Sequence, residues 1–324
     1  MSKFIFNLLS AIIVVILLLT VIETTLRITS VSDTKQHIIA TNDSRNFDNK
    51  PGDEYVSDDV LYKTNSDGIR ADKEYTPTNK TRIIVLGDSV TFGTYLPFNE
   101  TFAQKIQQIL PKTEVINLAV PSYNTYLEIE QLKIKGLKYN PKIVVLSFML
   151  DDIEPAETPF KNTVSNQICL LPIINLKVSC QLKNAIRNIR LVTFFYNKIS
   201  DKFSENLGDH YEVTWANPAL YETNILAPMK QLKQICTEKN ITCLVAIQPL
   251  LKFNSTYYKW QNLDDQIIKD LDELRLSHIT IRNSLENRTP EEIGWPNRDL
   301  LHFNQKGNEI IAQATAEKIK EAIQ

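Results

Sequence analysis

A short, unbroken apolar run that stops on a glycine, Arg82-Ile83-Ile84-Val85-Leu86-Gly87, leaves few options for the chain that carries it. Without polar alternation neither face can lie in water, so the run reads as a buried parallel strand. The sequence downstream repeats the theme. Residues 101–110 place Phe102, Ile106, Ile109 and Leu110 on one helical face, residues 114–120 read as a strand, and residues 125–139 as a second amphipathic helix. A third strand follows at 142–149, then a helix at 221–239, a strand at 241–247, a helix at 263–276, a short edge strand at 278–281 and a closing helix at 305–323. Strands alternating with helices through short loops imply right-handed crossovers and a parallel sheet covered on both faces, so the class is α/β. In such open sheets the ligand crevice lies at the carboxyl ends of the strands.

Upstream the chain is different. Residues 4–22 are a stretch of 19 residues without a charge. As a helix it is roughly 29 Å long, about one hydrocarbon core. The sequence Leu17-Leu18-Leu19-Thr20-Val21-Ile22-Glu23 offers no small-residue cleavage site, so an uncleaved signal anchor over residues 1–27 is expected. Residues 28–80 are polar and rich in turn residues, and read as a stalk and lead-in; the domain proper spans 81–324. Residues 153–220 interrupt the α/β rhythm with the aromatic run Phe194-Phe195-Tyr196, and are expected to cap the crevice and select substrate.

A net charge of −2 leaves no basic excess for a phosphate backbone, so a nucleic-acid partner is not expected. Cys169, Cys180, Cys236 and Cys243 all lie outside the apolar segment, which suits an oxidising compartment. Pairing Cys169 with Cys180 and Cys236 with Cys243 is the simplest of the three possible connectivities; buried free thiols are the alternative.

Chemistry concentrates at two places. Ser89 follows the first strand directly in Gly87-Asp88-Ser89-Val90-Thr91-Phe92-Gly93. A serine on a tight turn after a buried strand exposes its hydroxyl at the sheet's carboxyl edge, with glycines relaxing the backbone on either side. That hydroxyl needs an oriented base. Of the histidines, His37 lies in the polar lead-in, His210 in the insertion and His278 at a strand start, whereas His302 sits in Asp299-Leu300-Leu301-His302 just before the last helix. Three-residue spacing on a turn lets Asp299 lie beside His302 and fix its tautomer.

Together these two elements resemble the SGNH (GDSL-like) hydrolase family. The segment Gly87-Asp88-Ser89 with Thr91-Phe92-Gly93 is similar to its first sequence block, and Asp299 to His302 to its last. The upstream Asn65-Ser66-Asp67-Gly68-Ile69-Arg70 is similar to the lead-in of membrane-anchored or exported bacterial members. The resemblance implies a flavodoxin-like three-layer α/β/α fold with a five-stranded parallel sheet, and ester hydrolysis or acyl transfer without metal or organic cofactor. It casts Ser89 as nucleophile, His302 as base and then acid, and Asp299 as its orienting acid. An oxyanion hole is implied from the Ser89 N–H, a backbone N–H after the second strand and an asparagine side chain after the third. The expected function is an extracytoplasmic, membrane-anchored ester hydrolase or O-acyl transferase acting on an acylated carbohydrate or lipid.

Two positions depart from the family pattern. Ser122 stands where the family has a glycine, a change the backbone donor survives if the loop keeps its shape. Asp151 replaces the asparagine, and an ionised carboxylate has no proton to donate; one lost donor of this kind costs about 10² to 10³ in rate. Either Asp151 is held protonated, or a neighbouring amide such as Asn124 replaces it, or the site is weak or dead and the domain is an SGNH-shaped binding or scaffolding module.

Overall fold

The computed structural model describes residues 3–29, 37–155, 168–171, 176–179, 208–251, 253–254, 257–295 and 299–323. The chain divides into two compact units, one of Met1–Thr34 with Phe160–Gly208 and one of Lys35–Pro159 with Asp209–Gln324.

The larger unit holds the sheet. Its strands are β1 (Thr81–Leu86), β2 (Thr113–Asn117), β3 (Ile143–Phe148), β4 (Thr242–Ile247) and β5 (Ser277–Thr280), in the order β5-β4-β3-β1-β2. Every pairing is parallel, with Leu86 beside Leu146, Val85 beside Asn117 and Ile247 beside Phe148. The apolar runs explain the arrangement. All six residues of β3 and the last five of β1 and β4 are buried, which only a strand covered on both faces permits. Helices α3 (Phe102–Ile109), α4 (Thr125–Ile134), α5 (Ala227–Lys239), α6 (Gln261–Leu274) and α7 (Gln305–Ile323) provide the cover, α3 packing with α7 and α4 with α5. Strand order 2-1-3-4-5 is the flavodoxin-like one, with its switch point between β1 and β3. The crevice therefore lies over the loops after β1, β2 and β3.

Some boundaries move. The second strand ends at Asn117 and not at residue 120, because Asn117 closes a turn there: its Nδ2 donates to the Thr91 carbonyl and its Oδ1 accepts from the Ala119 N–H.

The largest correction concerns residues 37–80, read from the sequence as a polar stalk. They are part of the larger unit and carry two small antiparallel pairs, Ile38–Ala40 with Phe47–Asn49 and Glu54–Ser57 with Val60–Lys63. Phe47 packs with Val120, Tyr123 and Leu127, while Val60 and Tyr62 pack with Phe92 and Ala119. Buried polar residues make the segment look like linker by composition, yet they are paired. Arg45 donates to Asp48 and Gln131, and the Lys135 ammonium sits 2.6 Å from the Asp48 carboxylate.

In the smaller unit, residues 3–29 form one helix, α1 (Lys3–Thr29), and Ile168–Leu171 pairs antiparallel with Leu176–Ser179. The span read over residues 4–22 falls partly outside the described side chains, and among the described residues no helix is long and apolar enough to cross a membrane. Ile13, Val14, Val15, Leu17, Leu18, Leu19, Val21 and Ile22 all stand exposed on α1. The insertion at 153–220 lies mostly outside the described residues, as do the Cys169 and Cys180 side chains. Cys236 and Cys243 form a disulfide joining the end of α5 to the start of β4.

Candidate active site

Ser89 opens α2 (Ser89–Phe92), a single helical turn straight after β1. The turn is tight because Asp88 caps it, accepting the Val90 N–H at 2.8 Å, and because residue 87 is a glycine: a Cβ there would meet the Thr91 hydroxyl at 2.2 Å. Asp88 is thus a buried structural cap. The turn leaves Ser89 half-buried at the carboxyl edge of β1.

His302 comes from the other end of the chain and meets it. Its Nε2 lies 2.9 Å from Ser89 Oγ, within hydrogen-bond reach for a nucleophile and its base. The supporting backbone differs from expectation. Residues 299–303 are not a turn but a strand, β7 (Asp299–Phe303), paired antiparallel with β6 (Gly294–Trp295) through a bulge. The turn on which Asp299 was placed beside His302 is therefore absent; the Asp299 side chain lies outside the described residues. The other histidines are elsewhere. His37 pairs with Asp53 at 2.7 Å, His278 Nδ1 faces the Leu276 carbonyl, and the His210 side chain lies outside the described residues.

The loop after β2 is tied to the nucleophile turn by a hydrogen bond from the Val120 N–H to the Gly87 carbonyl. Ser122 sits two residues on with φ of +68°, the left-handed conformation that glycine adopts most readily. A serine here takes a backbone conformation that strains an L-residue.

Asp151 lies in the helical turn Leu150–Ile153 after β3, held by hydrogen bonds from Trp215 Nε1 to the Leu150 carbonyl and from Asn224 Nδ2 to the Ile153 carbonyl. Its Oδ1 is sealed from solvent and has no hydrogen-bond partner. Burial, reinforced by Asp88 and Glu154 and opposed by His302, pushes the Asp151 carboxyl up to about 7. Asp88, Glu128 and Asp152 are raised as well, burial being the main cause for each. Asp152 accepts from the Thr125 hydroxyl, whereas both Glu128 oxygens are buried without a partner. Such crowding favours shared protons over four separate negative charges. Asn124 caps α4 through Oδ1, and its Nδ2 donates one of its two hydrogens to the Glu154 carbonyl. Among the described residues no group of three or more His, Cys, Asp or Glu is placed to hold a metal ion.

Two residues stand out only in three dimensions. Arg70 is 1% exposed; its guanidinium stacks on Tyr62 and Phe92 and donates to the carbonyls of Phe92, Gly93 and Leu96. It thereby fixes the chain leaving α2. Tyr95, within that chain, has φ of +67° and packs its ring edge-on to His302, with centroids 5.2 Å apart.

No protein-family model matches the sequence, and no curated protein matches it. Among solved structures the chain is similar to an acetylxylan esterase from Geobacillus stearothermophilus (TM-score 0.45, 11% identity, 74% of this chain and 94% of that one). It is similar also to a lipase/acylhydrolase from Enterococcus faecalis (TM-score 0.44, 14% identity, 75% and 96%). A third is a psychrotrophic esterase from a Pseudoalteromonas species (TM-score 0.43, 11% identity, 75% and 99%).

Proposed function

We propose that this chain is a serine ester hydrolase of the SGNH type. The observation that carries this is the 2.9 Å approach of His302 Nε2 to Ser89 Oγ at the carboxyl edge of a parallel sheet. In the proposed reaction His302 takes the Ser89 proton as Oγ bonds to the acyl carbon, giving a tetrahedral oxyanion. The N–H of Ser89, at the free amino end of α2, and that of Ser122 stabilise it together with Asp151 as a neutral acid. Collapse breaks the bond to the alcohol oxygen, which leaves with the proton from His302. Water, or a second alcohol in acyl transfer, then attacks the acyl-serine by the same sequence in reverse. Asp299 is proposed to orient His302 on the resemblance of Asp299-Leu300-Leu301-His302 alone, since three-residue spacing along a regular extended strand sets side chains on opposite faces.

Anchoring through α1 with the hydrolase domain outside the cytoplasm belongs to the same proposal. It is supported by the apolar side chains that α1 exposes between residues 13 and 22, and by the Cys236–Cys243 disulfide. An acylated carbohydrate or lipid is the substrate such a placement suits. The test is hydrolysis of a short-chain aryl ester by the full chain in detergent, which Ser89→Ala is expected to abolish; activity that survives the substitution would sink the assignment.

A second reading, an inactive SGNH-shaped binding module, is favoured by one observation, the acid at position 151. The two separate with Asp151→Asn. A rate gain at alkaline pH marks a working site, and no turnover in either form marks a binding module.

A further inference from the structure

The turn that carries Asp151 is held from outside the sheet. It meets two carbonyl groups with its own backbone, the Asp152 N–H donating to Met149 and the Glu154 N–H to Asp151. Three further carbonyls are taken by side chains from separate elements. Trp215 Nε1, on the helix Gly208–Trp215, donates to Leu150 at 2.9 Å, Asn224 Nδ2 donates to Ile153 at 2.7 Å, and Asn124 Nδ2, at the cap of α4, donates to Glu154 at 2.9 Å. Trp215 and Asn224 are 4% and 8% exposed, so neither donor can exchange its bond for one to water without opening the core.

Local structure is bent to make this grip. The helical chain running from Pro218 into α5 widens to a π turn over Glu222–Leu226, closed by the Ala227 N–H on the Glu222 carbonyl five residues back. Pro228, which has no N–H to return to the Asn224 carbonyl, gives the widening a local cause. Its consequence is a buried Asn224 that reaches Ile153, and π turns concentrate at functional sites. Trp215 is fixed as well, edge-on to Phe148 at the end of β3 with centroids 6.4 Å apart. Between the two gripped carbonyls stands one acid. Asp151 is only half-buried, yet its Oδ1 is sealed, so a small rotation of the turn decides whether that oxygen is dry or wet. The titratable groups around it are Asp88 beside the nucleophile, Asp152 and Glu154 on its own turn, Glu128 on α4, Tyr211 on the helix Gly208–Trp215 and His302 on β7. Burial raises the Asp151 carboxyl first, Asp88 and Glu154 add to it, and His302 opposes.

We infer that Trp215 and Asn224 are positioning residues for Asp151: by holding the carbonyls on either side of it they keep its Oδ1 sealed and its acid proton directed at the oxyanion. This rests on the hydrolase reading of Ser89 and His302 and deepens it.

The experiment follows phenyl acetate cleavage by the full chain in detergent, as kcat and KM across pH, in Trp215→Phe and Asn224→Leu, which remove each donor and keep most of its bulk. In both, kcat is expected to fall on the order of tenfold with KM within about twofold. The decline in rate near pH 7 is expected to move to lower pH, because water that reaches Oδ1 relieves the burial that raises the carboxyl. A merely structural role would lower the rate whatever stands at position 151, so both substitutions are repeated in Asp151→Ala. There, with no acid to position, each is expected to change kcat by less than about twofold, while the urea midpoint drops as far as it does in the parent chain. A tenfold loss that persists in Asp151→Ala overturns the inference, and so does a decline that stays at the same pH. A second readout needs no turnover: the 13C signal of the Asp151 carboxyl in the Ser89→Ala chain, assigned by its absence in Asp151→Asn and titrated with and without Asn224→Leu. If a serine-directed fluorophosphonate fails to label Ser89 while Asn224→Leu still lowers that titration, the hydrolase reading falls and the grip on Asp151 stands. If Ser89 is labelled and neither the pH profile nor the carboxyl signal responds, the grip falls and the hydrolase stands.

Discussion

A carboxyl with one oxygen sealed from solvent and no hydrogen-bond partner, as Asp151 has at Oδ1, lowers its cost by holding a proton. That sets the sign of its pH dependence. The folded chain keeps the proton up to about 7, whereas an unfolded aspartate releases it near 3.8, so the native state binds more protons across that window. Stability contributed by the neutral acid therefore falls as pH rises through the window. Donation to an oxyanion ends at its upper edge. The rate of ester cleavage is accordingly expected to decline as pH rises through about 7 and to lose this limb in Asp151→Asn, whose amide donates at every pH. A pH-rate profile on both proteins checks this, and an identical limb in the variant assigns the decline to another group. Ser122 offers a simpler case. At φ of +68° an L-residue costs about 1 to 2 kcal/mol, and glycine recovers this less about 0.5 to 1 kcal/mol of extra freedom when unfolded. Ser122→Gly is thus expected to stabilise the chain by up to about 1 kcal/mol in urea titration, and Ser122→Val to destabilise it.

Between residues and the whole lies the lead-in at 37–71, which braces the site through Arg70. Removing that guanidinium takes the donor from the Phe92 and Leu96 carbonyls, whereas the Gly93 carbonyl keeps the Leu96 N–H. At about 1 to 3 kcal/mol for each unsatisfied buried group, Arg70→Met is expected to cost roughly 2 kcal/mol or more. Arg70→Lys, a point charge in place of a fork, restores only part of it. Urea titration together with the rate of Ser89 labelling measures both the fold and the turn it positions; an unchanged midpoint excludes the brace. Why this element escapes a reading of the sequence is physical. The sheet strands announce themselves as unbroken apolar runs because both of their faces are covered. The lead-in pairs are three or four residues long, and they bury Asp48, Asn49 and Arg70, which any hydropathy pattern counts as surface. Ser89 and His302 are legible because residue type and place in the α/β rhythm suffice. Tyr95 is not, since its position depends on a positive φ and on the hydrogen bond its N–H donates to Tyr62, 33 residues upstream. Extended pairing with Gly294–Trp295 likewise replaces the turn that Asp299-Leu300-Leu301-His302 suggests, because the bulge at Gly294 and Trp295 is written in backbone hydrogen bonds and not in composition.

For the molecule as a whole, the open issue is what covers α1. A helix whose residues 13–15, 17–19, 21 and 22 are apolar and exposed presents such side chains over roughly two thirds of its circumference, with Thr20 and Glu23 in the remaining arc, because consecutive positions advance by about 100°. A helix docked in a groove needs only an apolar stripe, so an apolar arc this wide supports the proposed contact with an apolar solvent. At about 0.8 kcal/mol per buried methylene, eight such side chains would, under the proposed anchoring, outweigh any surface charge. The domain beyond it carries a disulfide, Cys236–Cys243, which an oxidising space maintains. Both features support the tether proposed above. The full chain is then expected to stay with the membrane pellet through alkaline carbonate washing, while a chain lacking residues 1–34, a segment of the other compact unit, is released. Protease added outside spheroplasts should degrade the Ser89-labelled domain without lysis. Release of the intact chain by carbonate, or protection of the domain until the cells are broken, would reject the tether or its orientation respectively. Because the two outcomes are read separately, the fate of the anchor does not prejudge the chemistry of Ser89.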